Sequence, residues 1–395
     1  MPARIILFTG KGGVGKTSVA AASARRAAQE GRRTLVVSTD AAHSLGDVLD
    51  IAVGDEPTPV ADGLDALQID GRAELTRHWG AVRAWATRSL VARGVDRVSA
   101  DELTVPPGLE ELLSLLRLVA LQRSDDYDTI VVDCAPSGET LRLLSFPDIA
   151  HWWLQRITPR EDELLGAARP LARALLGVSL PDGDVTAEIH RLMESLLAIR
   201  ALLVDHEHVS IRLVATADQV VIEETRRTFT ALALYGVATD AVVVNRLFPD
   251  DVGAYFAAWR ERQQARMAEI GDAFAPLPIL RAPYFDHEVV GAEALDRLGA
   301  TLYPHAPVSD RLYVGNAREF VVDGDHAELR IAVPFADRED VRLRRSGAEL
   351  IVDVAGRRRT VLLPPAVADY RPTAATVDGG VLRITLQAPA PTEAR

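Results

Sequence analysis

The residues best suited to chemistry in this chain lie near its N-terminus. Residues 10–17 are GKGGVGKT, which matches the phosphate-loop pattern G-x-x-x-x-G-K-[ST]. Glycines allow such a loop to fold tightly around an anion and to turn its N–H groups inward. The pattern places Lys16 near the β- and γ-phosphates and the Thr17 hydroxyl on Mg²⁺. We therefore expect a nucleoside triphosphate with magnesium to be bound by Gly10, Lys11, Gly12, Gly13, Val14, Gly15, Lys16, Thr17 and Ser18.

A second lysine, Lys11, directly follows the first glycine, although the plain pattern does not require it. One interpretation is a solvated loop charge, which is what most loop lysines are. The other is an additional cation that stabilises charge on the γ-phosphate during transfer, as an arginine finger does. The residues alone leave both interpretations open.

Two acidic segments follow predicted strands and are expected at the same edge of a sheet. The first, STDAAHSLGD at 38–47, offers Asp40 and Asp47, and either carboxylate could orient a water molecule or act as its base. Asp40 equally suits the N-cap of a helix, and His43 is interpreted as a structural loop residue. In the second segment, at 129–142, an apolar run ends in Asp133, the form of a Walker-B aspartate that holds Mg²⁺.

Three further features of the sequence, the residues just after Asp133, a predicted turn and Asn245, carry weaker predictions. Pro136, Ser137 and Gly138 predict a turn that could respond to the γ-phosphate, as switch loops do. The neighbouring Cys134 is interpreted as a small buried residue. Asn245, at the end of another apolar run, could hydrogen-bond a purine edge, but the sequence by itself supports that role only weakly.

These residues must be positioned by strands and helices that alternate as far as about residue 302. Several predicted strands are continuously apolar, which is typical of parallel strands covered on both faces. The pattern predicts a doubly wound α/β fold with a mostly parallel sheet. A helical subdomain, strongly apolar, is predicted at about 146–208 within an ATPase domain of 1–302. The predicted strands are Ile5–Thr9, Thr34–Thr39, Leu67–Asp70, Thr129–Asp133, Ile211–Thr216, Ala241–Asn245 and Leu277–Arg281.

The C-terminal part has a different pattern. Prolines at 304 and 307 predict a linker over 303–316, after which apolar residues recur with a period of two. Glycine and proline pairs separate these short runs, so we predict an all-β sandwich at 317–389 and a tail at 390–395.

Composition narrows the classes of function. The 395 residues carry a formal net charge of −12, which disfavours nucleic acid as a main partner. The single cysteine excludes an intrachain disulfide and a thiolate metal cluster within one chain. No apolar run reaches about twenty residues and no secretory leader is visible, so we expect no integral membrane segment and a cytoplasmic location.

Three segments together, the loop with its extra lysine, STDAAHSLGD and DCAPSGETLR, resemble the family of arsenite-pump ATPases (ArsA) and tail-anchored-protein targeting factors (Get/TRC). The resemblance covers about residues 3–302. It implies a deviant Walker A motif in which Lys11 reaches the nucleotide of a partner subunit, with Lys16 on the phosphates. It also implies that Asp47 positions the attacking water, that Thr17 holds Mg²⁺ and that Asp133 lies behind the metal, through water.

The same resemblance implies ATP and Mg²⁺ as ligands, a homodimer, and helical subdomains that open and close with the nucleotide state. Asn245 would contact adenine and Pro283 would flank the base. The C-terminal segment resembles the α-crystallin domain of small heat-shock proteins, without the I-x-I anchor that builds large oligomers. The alternative interpretation of the C-terminal segment is a passive cap on the ATPase.

Departures from the family pattern narrow the expected function. The CxxC pair with which the targeting factors bind zinc is missing, so no zinc is expected, and one cysteine disfavours an arsenite-pump subunit. The apolar residues of 146–208 suit a groove for hydrophobic client segments or lipid and suit a plain packed core equally well. We expect an ATP-hydrolysing homodimer that binds apolar clients. The alternatives are an arsenite or anion transport subunit, a MinD/ParA-like positioning ATPase, and an electron carrier like nitrogenase reductase, which the cysteine count disfavours.

Overall fold

The computed structural model of the chain describes residues 2–40, 44–92, 94–103, 109–134, 183–315, 318–323, 326–346, 349–354, 356–363, 367 and 369–388. Several sequence-based predictions fall wholly or partly outside these ranges. They are the interpretation of His43, the turn at 136–138, the part of the helical subdomain at 146–182, the end of the linker at 316 and the tail at 390–395.

An eight-stranded sheet forms the centre of the larger domain. Its strands are β1 (Arg4–Thr9), β2 (Thr34–Ser38), β3 (Thr58–Ala61), β4 (Leu64–Gln68), β5 (Thr129–Asp133), β6 (Val209–Thr216), β7 (Thr239–Leu247) and β8 (Ile279–Pro283). Their order is β3-β4-β2-β5-β1-β6-β7-β8, and every neighbouring pair is parallel except β3 with β4. The predicted doubly wound fold is confirmed.

Helices cover both faces of this sheet. They are α1 (Lys16–Gln29), α2 (Ser44–Leu49), α3 (Gly71–Val91), α4 (Arg97–Leu103), α5 (Leu109–Arg123), α6 (Gly183–Leu203), α7 (Gln219–Tyr235), α8 (Gly253–Phe274) and α9 (Gly291–Leu302). Side chains of a strand alternate between faces, so Ile6 and Phe8 pack with α1, α2 and α9. Ile5 and Leu7 pack on the opposite face, with α5, α6 and α7.

The helical part of the larger domain extends beyond the segment that the sequence indicated. Helices α3 and α5 pack against each other and against α6, and α3 also contacts α4. Helices α3, α4 and α5 therefore belong to the same helical layer as α6 (Gly183–Leu203), which lies within the predicted 146–208. Asp70, predicted as the end of a strand, instead caps α3, because its Oδ1 accepts from the N–H groups of Arg72 at 2.9 Å and Ala73 at 3.2 Å. Among the described residues, no helix is long and apolar enough to cross a membrane.

A buried ion pair ties the predicted linker to the sheet. Arg212, in β6, is fully buried and donates to both carboxylate oxygens of Asp240 in β7, at 3.1 and 3.3 Å. It also donates to the carbonyls of Val308 and Asp310, both at 2.9 Å, and to the hydroxyl of Tyr303 at 3.1 Å. Residues 303–310 therefore form a strap that packs on the sheet.

The C-terminal domain is built from two antiparallel sheets. Its strands are β9 (Arg318–Asp323), β10 (His326–Ala332), β11 (Val341–Ser346), β12 (Glu349–Val354), β13 (Arg357–Leu362), β14 (Arg371–Asp378) and β15 (Val381–Gln387). One sheet has the order β14-β15-β10-β9 and the other β11-β12-β13. Leu329, Val352 and Ile384 are among the apolar residues of the core that the two sheets share, which makes the domain a sandwich, as predicted.

This sandwich docks on helix α7 of the larger domain. Leu234 of α7 is fully buried within the core of the sandwich. Phe335, in the turn after β10, packs edge-on against Phe229 and Phe274, with ring centroids 6.2 and 5.5 Å apart. The guanidinium of Arg226 lies 5.3 Å from the centre of the Phe335 ring. The contact joins the two domains through apolar and aromatic packing.

We expect Asp240→Asn to destabilise the protein strongly. The variant would leave the Arg212 guanidinium fully buried without its carboxylate, and breaking a buried pair in this way costs about 3–5 kcal/mol. The free energy of unfolding from urea titration measures the loss. Arg33→Met is the control, because Arg33 pairs with Asp128 on the surface, and it should change stability little. Equal small effects of the two substitutions would contradict the structural role of the buried pair.

Candidate functional site

The predicted phosphate loop lies at the middle of the main sheet. Strand β1, which has β5 and β6 as neighbours, ends at Thr9, and helix α1 begins at Lys16. Residues 10–15 connect the two at the carboxyl edge of the parallel strands, where open α/β sheets bind their ligands. The first turn of α1 therefore points its free N–H groups at the same place.

Two glycines of the loop are required by the space around them. A Cβ atom on Gly10 would lie 2.0 Å from the carbonyl oxygen of Val214 in β6, so the backbone passes directly against the neighbouring strand. Gly15 caps α1 with φ of 89°, in the left-handed region that side chains rarely adopt. A Cβ there would also lie 2.4 Å from Nδ2 of Asn245. The loop is compact because these positions lack side chains.

The two lysines of the loop occupy different environments. Lys16 is buried, and its Nζ donates to the carbonyl of Lys11 at 3.2 Å, inside the curve of the loop. Lys11 is partly exposed, and its Nζ lies 3.4 Å from Oε2 of Glu224 in α7. Lys16 thus lies where a bound phosphate would be contacted within the chain, whereas Lys11 lies on the outer side of the loop.

Asp133 and Thr17, both predicted to serve Mg²⁺, are in direct contact. The Thr17 hydroxyl donates to Oδ2 of Asp133 at 2.7 Å, and the Ser44 hydroxyl oxygen lies 3.1 Å from that of Thr17. Asp133 is fully buried, and its Oδ1 has no hydrogen-bond partner among the residues that the structure describes. Burial raises the pKa of Asp133, while the hydrogen bond from Thr17 and the charge of Lys16 act in the opposite direction.

This arrangement fits a hydrated magnesium ion. Mg²⁺ prefers oxygen ligands, keeps several of its waters and binds through few protein groups and substrate phosphates. The unpartnered Oδ1 of Asp133 would accept from such a water, and the hydroxyls of Thr17 and Ser44 are available as ligands. Across the described residues, no cluster of three or more His, Cys, Asp or Glu side chains is placed to hold a metal. Ser44, whose role the sequence reasoning missed, was recognisable only as a hydroxyl within the segment after β2.

The two acidic residues predicted to act on water lie differently. Asp47 is exposed, in the first turn of helix α2. Asp40 is partly buried, its N–H donates to the Ser38 hydroxyl at 3.3 Å, and its carbonyl accepts from Gln68 at 3.0 Å. Of the two carboxylates, the more exposed Asp47 is the easier for solvent to reach. Their roles in catalysis stay predictions.

A cavity of about 490 Å³ brings four of the predicted nucleotide-binding residues together. They are Gly15, Ser18, Asn245 and Pro283. Arg246 and residues 284–290 also line it, and these were missed because a loop that follows a strand carries no pattern of its own. Its position beside the start of α1 suits the base and ribose of a nucleotide whose phosphates lie in the loop.

A second cavity, of about 460 Å³, lies on the outer side of the loop. Lys11 and Gly12 form one wall, and the opposite wall carries Phe248, Phe256 and Trp259. The rings of Phe248 and Tyr284 stack with centroids 6.0 Å apart, and Tyr284 and Arg246 line both cavities. Aromatic and cationic side chains therefore surround the face of the loop that carries Lys11.

The family model described as anion-transporting ATPase (ArsA) matches residues 3–304, which is most of the chain. The chain belongs to the ArsA family of ATPases. A second model, described as an HSP20-like domain found in ArsA, matches residues 324–386, within the C-terminal sandwich.

Individual relatives align with this chain over most of their own length. A protein of Prosthecochloris vibrioformis, whose name designates it an arsenical pump-driving ATPase, is 38% identical over 93% of this chain and 92% of its own. A similarly named protein of Aquifex aeolicus is 31% identical over 95% and 98% of the two chains. The ATPase get3 of Aspergillus terreus is 30% identical over 77% of this ArsA-family chain and 92% of its own. The resemblance predicted from the motifs is confirmed.

We expect Asp133→Asn to keep or raise the stability of the protein and to lower its response to Mg²⁺. Because burial raises the pKa of Asp133 above its value in the unfolded chain, ionisation of this group lowers stability as the pH rises through that range. At neutral pH the uncharged amide avoids this cost, so the melting temperature should equal or exceed that of the wild type. The stimulation of ATP binding and turnover by Mg²⁺ should fall at least tenfold.

Titration calorimetry with ATP, in the presence and absence of Mg²⁺, measures this effect. Asp128→Asn provides the control, because Asp128 is a carboxylate at the opposite end of β5 that pairs with Arg33. A normal magnesium response in Asp133→Asn would show that this carboxylate does not serve the metal.

Proposed function

We propose that this ArsA-family chain binds and hydrolyses ATP with Mg²⁺ as a homodimer, and that the nucleotide state controls the binding of apolar client segments. The observation that carries the nucleotide part is the contact of the Thr17 hydroxyl with the buried carboxylate of Asp133, whose second oxygen, Oδ1, has no partner within the described part of the chain. Together with the glycine loop beside it, this arrangement suits a triphosphate and its metal.

Each residue of the site has a distinct part in the proposed reaction. Lys16 and the loop N–H groups bind the phosphates, and Asp47 orients the water that attacks the γ-phosphate. A bound Mg²⁺ would neutralise charge on the phosphate oxygens, and Thr17 and Asp133 would hold it. Lys11 would stabilise the transition-state charge on the nucleotide of a second subunit. Its position supports this role, since Lys11 is partly exposed on the outer side of the loop and its Nζ pairs with a partly exposed carboxylate, that of Glu224.

The proposed client site is the helical layer of α3, α4, α5 and α6. A cavity of about 690 Å³ lies between α3 and the start of α4. Leu75, Ala84 and Val91 contribute apolar surface to it, and Val91 is 42% exposed. Arg83 and Arg88 also line it, and the methylene stems of arginine side chains add apolar surface. An exposed apolar surface rimmed by polar groups is typical of a site that binds an apolar segment.

The names of the bacterial relatives favour a second candidate, a subunit that drives the transport of arsenicals or other anions. Metalloids bind to thiolates, and this chain offers a single thiol. Burial raises the pKa of Cys134 to about 12, so the thiol stays protonated at neutral pH. We therefore favour ATP-dependent binding of apolar clients over metalloid transport.

We expect Lys11→Ala and Asp47→Asn to fold normally and to lose at least 100-fold in ATP turnover. The first loses a transition-state cation, and the second loses the group that orients the attacking water. Steady-state phosphate release measures the loss, and sedimentation with Mg²⁺ and ATP should show a dimer of the wild type. Asp62→Asn removes an exposed carboxylate in the turn between β3 and β4 and should retain turnover. Wild-type rates in the two site variants would remove the assigned roles.

Substitutions in the client cavity test the other half of the proposal. We expect Val91→Glu and Ala84→Glu each to weaken binding of a leucine-rich 20-residue helical peptide about tenfold, because a carboxylate replaces apolar contact surface. Fluorescence anisotropy of the labelled peptide measures this binding. Val314→Glu places the same charge on an exposed valine outside the helical layer and should have no effect. Equal binding by all three variants would count against the client site.

A further inference from the structure

The amide of Asn245 is bound to the phosphate loop. Asn245 lies near the end of β7 and is 8% exposed. Its Nδ2 donates to the carbonyl oxygen of Val14 at 2.9 Å, and its Oδ1 accepts from the N–H of Arg246 at 2.9 Å. A carbonyl only accepts and a backbone N–H only donates, so these two partners fix the orientation of the amide.

This contact determines which way one peptide unit of the loop faces. The C=O of Val14 and the N–H of Gly15 belong to the same planar trans peptide and point in opposite directions. With the carbonyl held toward β7, the Gly15 N–H points to the other side, into the curve of the loop. The next carbonyl, that of Gly15, accepts from Val19 N–H at 3.0 Å in the first turn of α1. Both carbonyls are thus kept out of the space where a phosphate would lie.

The fit between the amide and the loop is close. The 2.4 Å between Asn245 Nδ2 and a Cβ built on Gly15 means that the amide occupies the space next to this glycine. Arg246, whose N–H donates to Oδ1 of the same asparagine, has a left-handed backbone with φ of 58°. A non-glycine residue in this region is uncommon, and such conformations cluster at ligand-binding sites.

We infer that Asn245 is a positioning residue of the phosphate loop, which orients the Gly15 N–H toward the nucleotide phosphates whatever base the nucleotide carries. This inference rests on the proposed nucleotide binding and differs from the adenine contact that the family resemblance implies. A residue that reads the base would affect one nucleotide, whereas a residue that orients the loop affects every ligand that carries the same phosphate chain.

Asn245→Ala tests the two roles against each other. Removal of the buried donor leaves the Val14 carbonyl without its partner and frees the peptide to turn, so we expect about tenfold weaker binding. The loss should be equal for Mg·ATP, Mg·GTP and Mg·tripolyphosphate, as measured by calorimetry. Weaker binding of ATP alone, with GTP and tripolyphosphate unchanged, would overturn the inference in favour of a base contact.

A second measurement does not depend on any ligand. Hydrogen exchange of the amides of residues 10–17 in the nucleotide-free protein, followed by mass spectrometry, should become faster in Asn245→Ala. Gln122→Ala is the matched control, because it removes a buried amide at the opposite edge of the sheet, where the Gln122 carbonyl accepts from Ala3 N–H. It should change neither the exchange of these residues nor binding.

The two measurements separate the inference from the proposed function. If the wild type binds none of the three ligands, the proposed nucleotide site fails. The exchange experiment then still decides the role of Asn245, since unchanged exchange in Asn245→Ala would overturn it and faster exchange would support it.

Discussion

The hydrogen bond between Thr17 and Asp133 joins the first helix to the centre of the sheet, and the geometry of the site depends on it. Asp133 ends β5 and lies beside Phe8 of β1 and Ser38 of β2 in the strand register. Thr17 is the second residue of α1, so the bond fixes where the helix begins relative to three strand ends. A fully buried carboxylate oxygen without a partner, as Oδ1 is among the described residues, lowers stability until another group donates to it. The same oxygen would accept a hydrogen bond from a water ligand of a bound cation. Stability is commonly given up for function at such positions.

The distribution of lysine and arginine also distinguishes the phosphate loop from the rest of the chain. The chain has 44 lysine and arginine residues, and Lys11 and Lys16 are its two lysines, so the other 42 are arginines. An ammonium is a compact point charge with freely rotating donors, whereas a guanidinium is a wider planar fork. Lys16 is buried and turned back toward the carbonyl of Lys11 within a loop whose neighbours leave no room for side chains on Gly10 or Gly15. Lys16 therefore places a compact cation in a closely packed loop, whereas Arg212 and Arg33 form ion pairs elsewhere in the described part of the chain.

Helix α7 connects the loop with the C-terminal sandwich. Near its start, Glu224 pairs with Lys11, and in its second half Phe229 packs on Phe335 of the sandwich. The last turns contribute Leu234 to the core of the sandwich, and the Thr230 hydroxyl donates to the carbonyl of Pro334. A close-packed helix moves as a unit, because its neighbours leave few voids into which one end could shift alone. The sandwich is thus attached to the same helix that carries Glu224, the ion-pair partner of Lys11.

The features that could be predicted from the sequence are those that depend on residues close together in the chain. The loop and the central strands were recognisable because glycine spacing and continuous apolar runs act over a few residues. The short edge strand Thr58–Ala61 was missed, since it contains a proline and only partly buried residues alternate in it with exposed ones. Arg212 lies within an apolar run, and its burial depends on Asp240 and on the strap, which are 28 and more than 90 positions away. The contact of Asn245 with Val14 joins residues 231 positions apart. An asparagine at the end of a strand suits a base contact and a loop contact equally well by its chemistry, and only the folded chain shows that its amide donates to the loop.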